Sequence, residues 1–224
     1  MDLIEKLKGR LQQPLPGPLA HTCLAPPLRH NPALDQNPPA DARKAAVVLL
    51  LYCQYEHWFL PCMLRPPNTG PHSSQISLPG GQMEYGDSDL LNTATRELEE
   101  EFGINADTIQ VLGLISQLYV APSHFIVSPW VAWCDRRPAY NPDPVEVAEI
   151  IEIPLSEFFL STNLGRHQRR LRGAWRTVPH FQVQDRKGQS HMIWGATAMI
   201  INELVFLLRE SGLELEKKHL QAGF

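Results

Sequence analysis

Apolar positions along this chain gather into short runs set between polar and Gly/Pro-rich stretches. Ala45 to Cys53, AAVVLLLYC, is continuous and apolar, and its length fits a buried strand. Glu56-His57 then marks a turn, and Trp58 to Leu64 reads as a second strand. A third begins near Ile109 and continues through Val111 to Leu118. Phe125 to Cys134 is another, and Pro129 inside it points to an edge or a bulge. Ala148 to Ile153 and Trp175 to Val183 add two more. From Gly195, GATAMIINELVFLLRE has helical spacing and ends near Gly212. At the other end, MDLIEKLKGRLQ predicts an amphipathic helix. Residues 12–41 are proline-rich, with pairs at Pro26-Pro27 and Pro38-Pro39, so an extended arm is expected there. Its leucines, Leu15, Leu19, Leu24 and Leu28, favour packing, either on the fold's own flank or on a second subunit of a homodimer. The pattern fits an α/β fold: a helix and arm over 1–41, then one domain over 42–224 with a mixed sheet flanked by helices.

One segment breaks a local rule. Leu78 to Ile104 reads LPGGQMEYGDSDLLNTATRELEEEFGI. As a helix capped by Asp87-Ser88-Asp89 and closed by Gly103, it places Glu97, Glu99, Glu100 and Glu101 in its last turns. A helix C-terminus carries partial negative charge and prefers cations. Glu97 and Glu101 stand four apart, share a face and repel. Acidic runs are commonly solvated surface. Here Pro79-Gly80-Gly81 brings backbone close, and Arg96 can hold a carboxylate or Asp87. A bound divalent cation would offset the repulsion. Carboxylates without His or Cys select a hard ion, Mg²⁺ or Mn²⁺.

The segment resembles the Nudix box, G-x5-E-x7-R-E-U-x-E-E-x-G-U, with U aliphatic. Gly81 opens it, and Arg96, Glu97, Leu98, Glu100, Glu101, Gly103 and Ile104 match its second half. Two departures occur: Asp87 stands at the first acidic position, and eight residues rather than seven separate it from Arg96. The resemblance implies a Nudix-type α/β/α sandwich with a mixed β-sheet. It also implies metal-dependent hydrolysis of a nucleoside diphosphate linked to another moiety. Carried over by position, Glu97, Glu100 and Glu101 would be metal ligands, with the Gly80 carbonyl a further one, and Arg96 would orient Glu97. Cations between carboxylates and diphosphate would polarise a phosphoryl oxygen and lower the pKa of a bound water. A general base would come from outside the box. Glu146 in Pro144-Val145-Glu146-Val147 is the leading choice, with Glu149 and Glu152 as competitors.

The second half of the chain is also similar to the coenzyme A diphosphatase branch of that family. Trp194-Gly195-Ala196-Thr197-Ala198 and the spacing of Asp87 and Arg96 carry this likeness. The branch signature ahead of the box, L-L-T-x-R-[SA]-x3-R-x3-G-x3-F-P-G-G, is kept only in part. Arg65, Pro79, Gly80 and Gly81 remain, while Gly70, Ser74 and Leu78 replace its second Arg, its Gly and its Phe. An Arg at that place would hold phosphate in a way Gly cannot. Coenzyme A or a derivative therefore stands beside ADP-ribose, nucleotide sugars and dinucleotides as substrate. A non-catalytic nucleotide-binding regulator is a further alternative, disfavoured by the retained carboxylates. Arg166 to Arg172 is the strongly basic stretch; with Arg65, its Arg169 and Arg170 could contact substrate phosphate, such as the 3′-phosphate of coenzyme A, and a solvated loop or helix end is the plainer reading. Trp175 and His180 could stack on a base or belong to the core, and His72 lies in the loop before the box.

Composition narrows this reading further. Hydrophobic residues make up 43% and charged residues 20%, ordinary values for a globular protein. A net charge of −4 offers no field for nucleic acid, and RNA decapping is disfavoured. No run is long and apolar enough to span a membrane, and the N-terminus lacks the apolar stretch of a secretion signal. Cys23, Cys53, Cys62 and Cys134 lack metal spacing and suit free thiols in a reducing cytoplasm, where the protein is expected.

Overall fold

The structure, a computed structural model, describes residues 2–27, 37–67, 75–171 and 173–212. His72, Leu28, Gly70, Ser74 and Arg172 lie outside the described residues. The apolar run at 45–53 forms the middle of β1 (Arg43–Gln54). It is interior: β1 pairs antiparallel with β2 (His57–Leu64) and β4 (Gly80–Gln82), and parallel with β7 (Phe125–Cys134). β3 (Ile76–Ser77) and β8 (Glu149–Pro154) pair with β2. β5 (Gln110–Leu114) and β6 (Leu118–Val120) pair with β7, completing an eight-stranded mixed sheet. β9 (Leu164–Leu171), β10 (Ala174–Gln184) and β11 (Ser190–Trp194) form a separate three-stranded antiparallel sheet.

Period-two alternation along β1 feeds two cores. Ala46, Val48, Leu50 and Tyr52 face a helix at 90–102, where Ala94, Leu98 and Phe102 pack on them. Ala45, Leu49 and Leu51 face the opposite layer, which holds the C-terminal helix, here Gly195–Glu210. A strand covered on both sides reads as unbroken hydrophobicity, which explains the run that predicted it.

Three expectations about the strands and the basic stretch change. The strand predicted from Ile109 to Leu118 is two strands, β5 and β6, with a register shift between Val111 and Gly113. Pro129 marks neither an edge nor a bulge in β7, which is flanked on both sides. Its carbonyl accepts from the Ile115 amide, so its missing N–H faces the gap between β5 and β6, where no ladder bond is lost. The basic stretch at 166–171 is strand β9, neither loop nor helix end.

The N-terminal segment packs on the fold's own flank. Helix α1 (Asp2–Leu11) buries Ile4, Leu7 and Leu11, and Leu24 joins the same core. Residues 18–22, expected to be extended, form a short helix, α2 (Pro18–Thr22); proline is tolerated in a first turn. In numbering order the helix at 90–102 is α3 (Leu90–Phe102) and the last is α4 (Gly195–Glu210). Glu203 of α4 is fully buried and serves as a staple. Its carboxylate meets His21 Nε2 at 2.9 Å and accepts from the Gly17 amide at 3.0 Å and Ser116 Oγ at 2.6 Å. Asn202 donates to the Ala20 carbonyl at 2.7 Å.

Candidate active site

Helix α3 begins where Asp89 caps it, accepting from the Asn92 amide at 2.8 Å. It ends where Gly103 turns left-handed at φ 69° and returns its amide to the Glu99 carbonyl. Between these points Thr93, Ala94, Glu97, Leu98, Glu101 and Phe102 form the buried face. Two acidic residues are thus pressed against the sheet beside Gly80-Gly81. Glu101 is 1% exposed. Its carboxylate accepts from the Gly80 amide at 2.7 Å and from Arg65 Nη2 at 3.3 Å. Burial pushes its pKa up to about 8, against the opposing pull of Arg65 and the Gly80 amide. Glu97 is also raised, by burial first, with Arg96 opposing and Glu100 and Glu146 adding repulsion.

Both glycines are required by close approach. Gly80 has φ 148°, and a side chain there would run into the β1 backbone at Ala46 and Val47. A side chain at Gly81 would strike the Glu97 carboxylate.

Glu146 arrives from a loop. Asn141 donates its amide to the Phe102 carbonyl at 2.9 Å, docking the loop on the end of α3. Asp143 then builds a turn, accepting from the Val145 amide with its side chain and from the Glu146 and Val147 amides with its carbonyl. Val147 is buried in the α3-side core, and Glu146 is exposed. Oxygens of Glu97, Glu101 and Glu146 come within 4.8 Å of one another. Three carboxylates with no His or Cys suit a hard divalent cation.

The structure does not bring Glu100 into this group. On a 3.6-residue helix Glu101 lies near Glu97, while Glu100 is rotated to the other side. Its half-exposed carboxylate accepts from Arg96 Nη1 at 2.7 Å. Arg96 is the hub of the outer side. It grips Asp87 with two bonds, 2.9 and 3.1 Å, and donates to Glu97 at 3.0 Å and the Gln82 carbonyl at 3.2 Å. Asp87 also accepts from the Glu84 amide and Thr93 Oγ1, both at 2.9 Å. The Arg96 pairing, foremost among these, holds its carboxyl well below the usual range. The shorter acid therefore still braces the Arg across the longer spacing.

The competing acids are engaged elsewhere. Glu149 pairs with Lys187 at 2.6 Å. Glu152 is buried under Tyr52, Tyr140 and a two-bond contact from Arg137 at 2.8 Å. The Gly80 carbonyl accepts a long bond from Arg65 at 3.4 Å. Arg65 thus touches both the glycine turn and Glu101. Arg169 and Arg170 lie on β9, in the second sheet. Strand alternation turns them to opposite faces: Arg169 stacks over Trp194 at 4.2 Å, and Arg170 donates to the Gly173 carbonyl at 3.3 Å. His180 is buried against His167, and Trp175 is exposed. Sequence reasoning did not single out Asp143 or Asn141. The Asn-Pro-Asp-Pro run at 141–144 is a turn signal that marks them.

A cleft of about 390 Å³ opens beside Gly80, Gly81 and Arg65, walled elsewhere by Val47, Phe125 and Thr197.

Carboxylates on a capped helix, packed on a glycine turn and joined by a loop acid, make a donor set suited to a hard divalent cation. Residues 42–174 match the NUDIX domain. The chain belongs to the Nudix family, hydrolases acting on pyrophosphate bonds. It is 33% identical to the uncharacterized Nudix hydrolase NudL of Photorhabdus laumondii, over 72% of this chain and 83% of that protein. The protein of the same name from Pectobacterium atrosepticum is 31% identical over 77% of this chain and 86% of its own. Among solved structures, the MutT/nudix family protein from Enterococcus faecalis is 14% identical, with a TM-score of 0.48, covering 76% of this chain and 64% of that one.

Proposed function

We propose that the chain cleaves the diphosphate bond of a nucleoside diphosphate derivative, with Mg²⁺ or Mn²⁺ held by Glu97, Glu101 and Glu146. The observation that carries this reading is the meeting of three carboxylates, two buried on one helix and a third from a distant loop. Such an arrangement is costly without a cation. Bound there, the cation would supply a polarised phosphoryl oxygen and an acidified water. Arg96 fixes Glu97, Arg65 and the Gly80 amide fix Glu101, and the Gly80 carbonyl borders the same space. Glu146, the exposed member, is also the residue able to take a proton from an attacking water. Glu100 acts through Arg96.

Within this class, coenzyme A and its derivatives stand beside ADP-ribose, nucleotide sugars and dinucleotides. The retained Arg65 and the Trp194-Gly195-Ala196-Thr197 entry to α4 support coenzyme A; the loss of the signature's second Arg opposes it. The test is a phosphate-release screen over these substrates with Mg²⁺, Mn²⁺ or EDTA. Metal-dependent release of two phosphate-bearing halves is expected from at least one. Absence of turnover on all of them, or turnover unaffected by EDTA, would overturn the reading. No helix of the described residues is long and apolar enough to cross a membrane. A cytoplasmic location is part of the proposal.

A further inference from the structure

Away from the carboxylates, charge is most unbalanced on the second sheet. Residues 164–184 hold five arginines and no Asp or Glu, in a chain of net charge −4. The register sets Arg169 directly opposite Arg176. Directly paired residues share a face, and like charges there repel. Among the described residues, no ion pair links Arg166, Arg169, Arg170 or Arg176 to a carboxylate. His167 and His180 share that face and give no negative charge. Burial, foremost, lowers both pKa values, and His180 and Arg169 lower His167 further.

Arg169 is nevertheless held in place. Its guanidinium lies over the Trp194 ring at 4.2 Å, and His167 meets the same ring edge-on. Stacking fixes the plane and leaves the N–H edges to donate. Trp194 ends β11 and leads straight into α4, whose Ala196 and Thr197 line the cleft beside Gly80-Gly81. β11 also packs next to β3, which lines the same cleft through Ile76 and Ser77. No side chain caps the start of α4, so its first amides add positive potential at that border.

We propose that Arg169 and Arg176 form a second anion site, which takes a phosphate monoester carried by the substrate away from its diphosphate. The substrate part rests on the diphosphatase reading above; the binding part does not. Two guanidiniums from facing strands, one preset by an indole, suit the three oxygens of a monoester, whose charge is about −1.5 to −2 near neutral pH. Arg170 is excluded, because it faces the other side of the sheet.

The test compares adenosine 3′,5′-bisphosphate with adenosine 5′-monophosphate by calorimetry, without metal. The bisphosphate should bind about tenfold tighter or better. Arg176→Gln and Arg169→Lys should each cut that ratio several-fold, and the double variant should bring it to about one. Lys keeps the charge at 169 but loses the planar stack, and melting curves confirm that the variants fold. Equal affinities in the wild type, or an unchanged ratio in the double variant, overturn the site. Inorganic phosphate that displaces the bisphosphate as strongly as the bisphosphate displaces itself identifies a free-anion site and overturns the substrate assignment. In parallel, kcat/KM for coenzyme A should exceed that for 3′-dephospho-coenzyme A, and the double variant should lose this preference. If neither is hydrolysed, coenzyme A is not the substrate, the diphosphatase reading is decided by the wider substrate screen, and the calorimetric ratio still decides the anion site.

Discussion

The Gly80 amide donates to Glu101 Oε2 at 2.7 Å, so one backbone bond ties strand β4 to the last turn of α3 at the most buried carboxylate of the site. That bond and Arg65 aim the carboxylate toward Glu97 and Glu146. Glu100, two bonds removed through Arg96, has no such constraint.

Glu101 and Glu100 should therefore separate in kinetics. Glu101→Gln is expected to lower kcat/KM by roughly 10³-fold, since the ion's charge balance and geometry are both lost. Glu100→Gln should cost about 10- to 100-fold, as an outer partner does. Steady-state kinetics across a Mg²⁺ titration checks this, with circular dichroism to confirm folding. Equal losses for both variants would place Glu100 on the metal.

The two glycines should also separate. Gly80→Ala forces a side chain into β1 backbone at a φ of 148°, so a destabilised or insoluble protein is expected. Gly81→Ala presses only on the carboxylate end of the Glu97 side chain and not on backbone, so the protein should fold and lose metal affinity. Thermal melting and calorimetric Mn²⁺ titration of both variants check the split.

Leu7 is fully buried in the α4-side core. Leu7→Ala is expected to lower stability by about 2–5 kcal/mol, the range for a core leucine. Urea denaturation measures it. A change below about 0.5 kcal/mol would mean that α1 is not part of the cooperative unit.

Stability should carry an acid-side signature from Glu203. Burial raises its pKa, but the bond with His21, with help from Ser116 and the Gly17 amide, leaves it below the ordinary value of 4.5. A lowered carboxyl stabilises the fold above its unfolded pKa. That contribution is lost as pH falls through the folded value. Glu203→Gln should therefore melt at a lower temperature near neutral pH and fall less steeply below pH 4.5 than the wild type. Parallel melting curves of the two proteins between about pH 3 and 7 would refute the linkage.

Much of the site was legible because its chemistry is local. Asp89, Arg96, the glutamates and Gly103 all sit on or beside one helix, and caps and spacing determine where they point. Glu146 was reachable as a residue type in a turn, but its approach to Glu97 depends on Asn141 docking on Phe102, a contact no local pattern encodes. Glu100 shows the limit of reading by position. Adjacent acids in a motif look equivalent, yet one residue of helical rotation sends them to different partners. Central strands were legible from unbroken hydrophobicity. β9 was not, because the same polar alternation serves an exposed strand and a solvated loop, and only pairing with β10 decides between them. The split of β5 from β6 escaped because its one polar interruption, Ser116-Gln117, is too short to distinguish a strand break from the alternation of a single strand.

Arg10 pairs with Glu210 at 2.8 Å, a contact spanning 200 positions of sequence, and α1 and α2 lie along α4. Such distant closure slows folding. During synthesis, α1 can pack on β5 once that strand has emerged, but α2 has no mate until α4 follows. A ribosome stalled shortly before α4 would hold a sheet with one oily side only partly covered, a natural target for a chaperone.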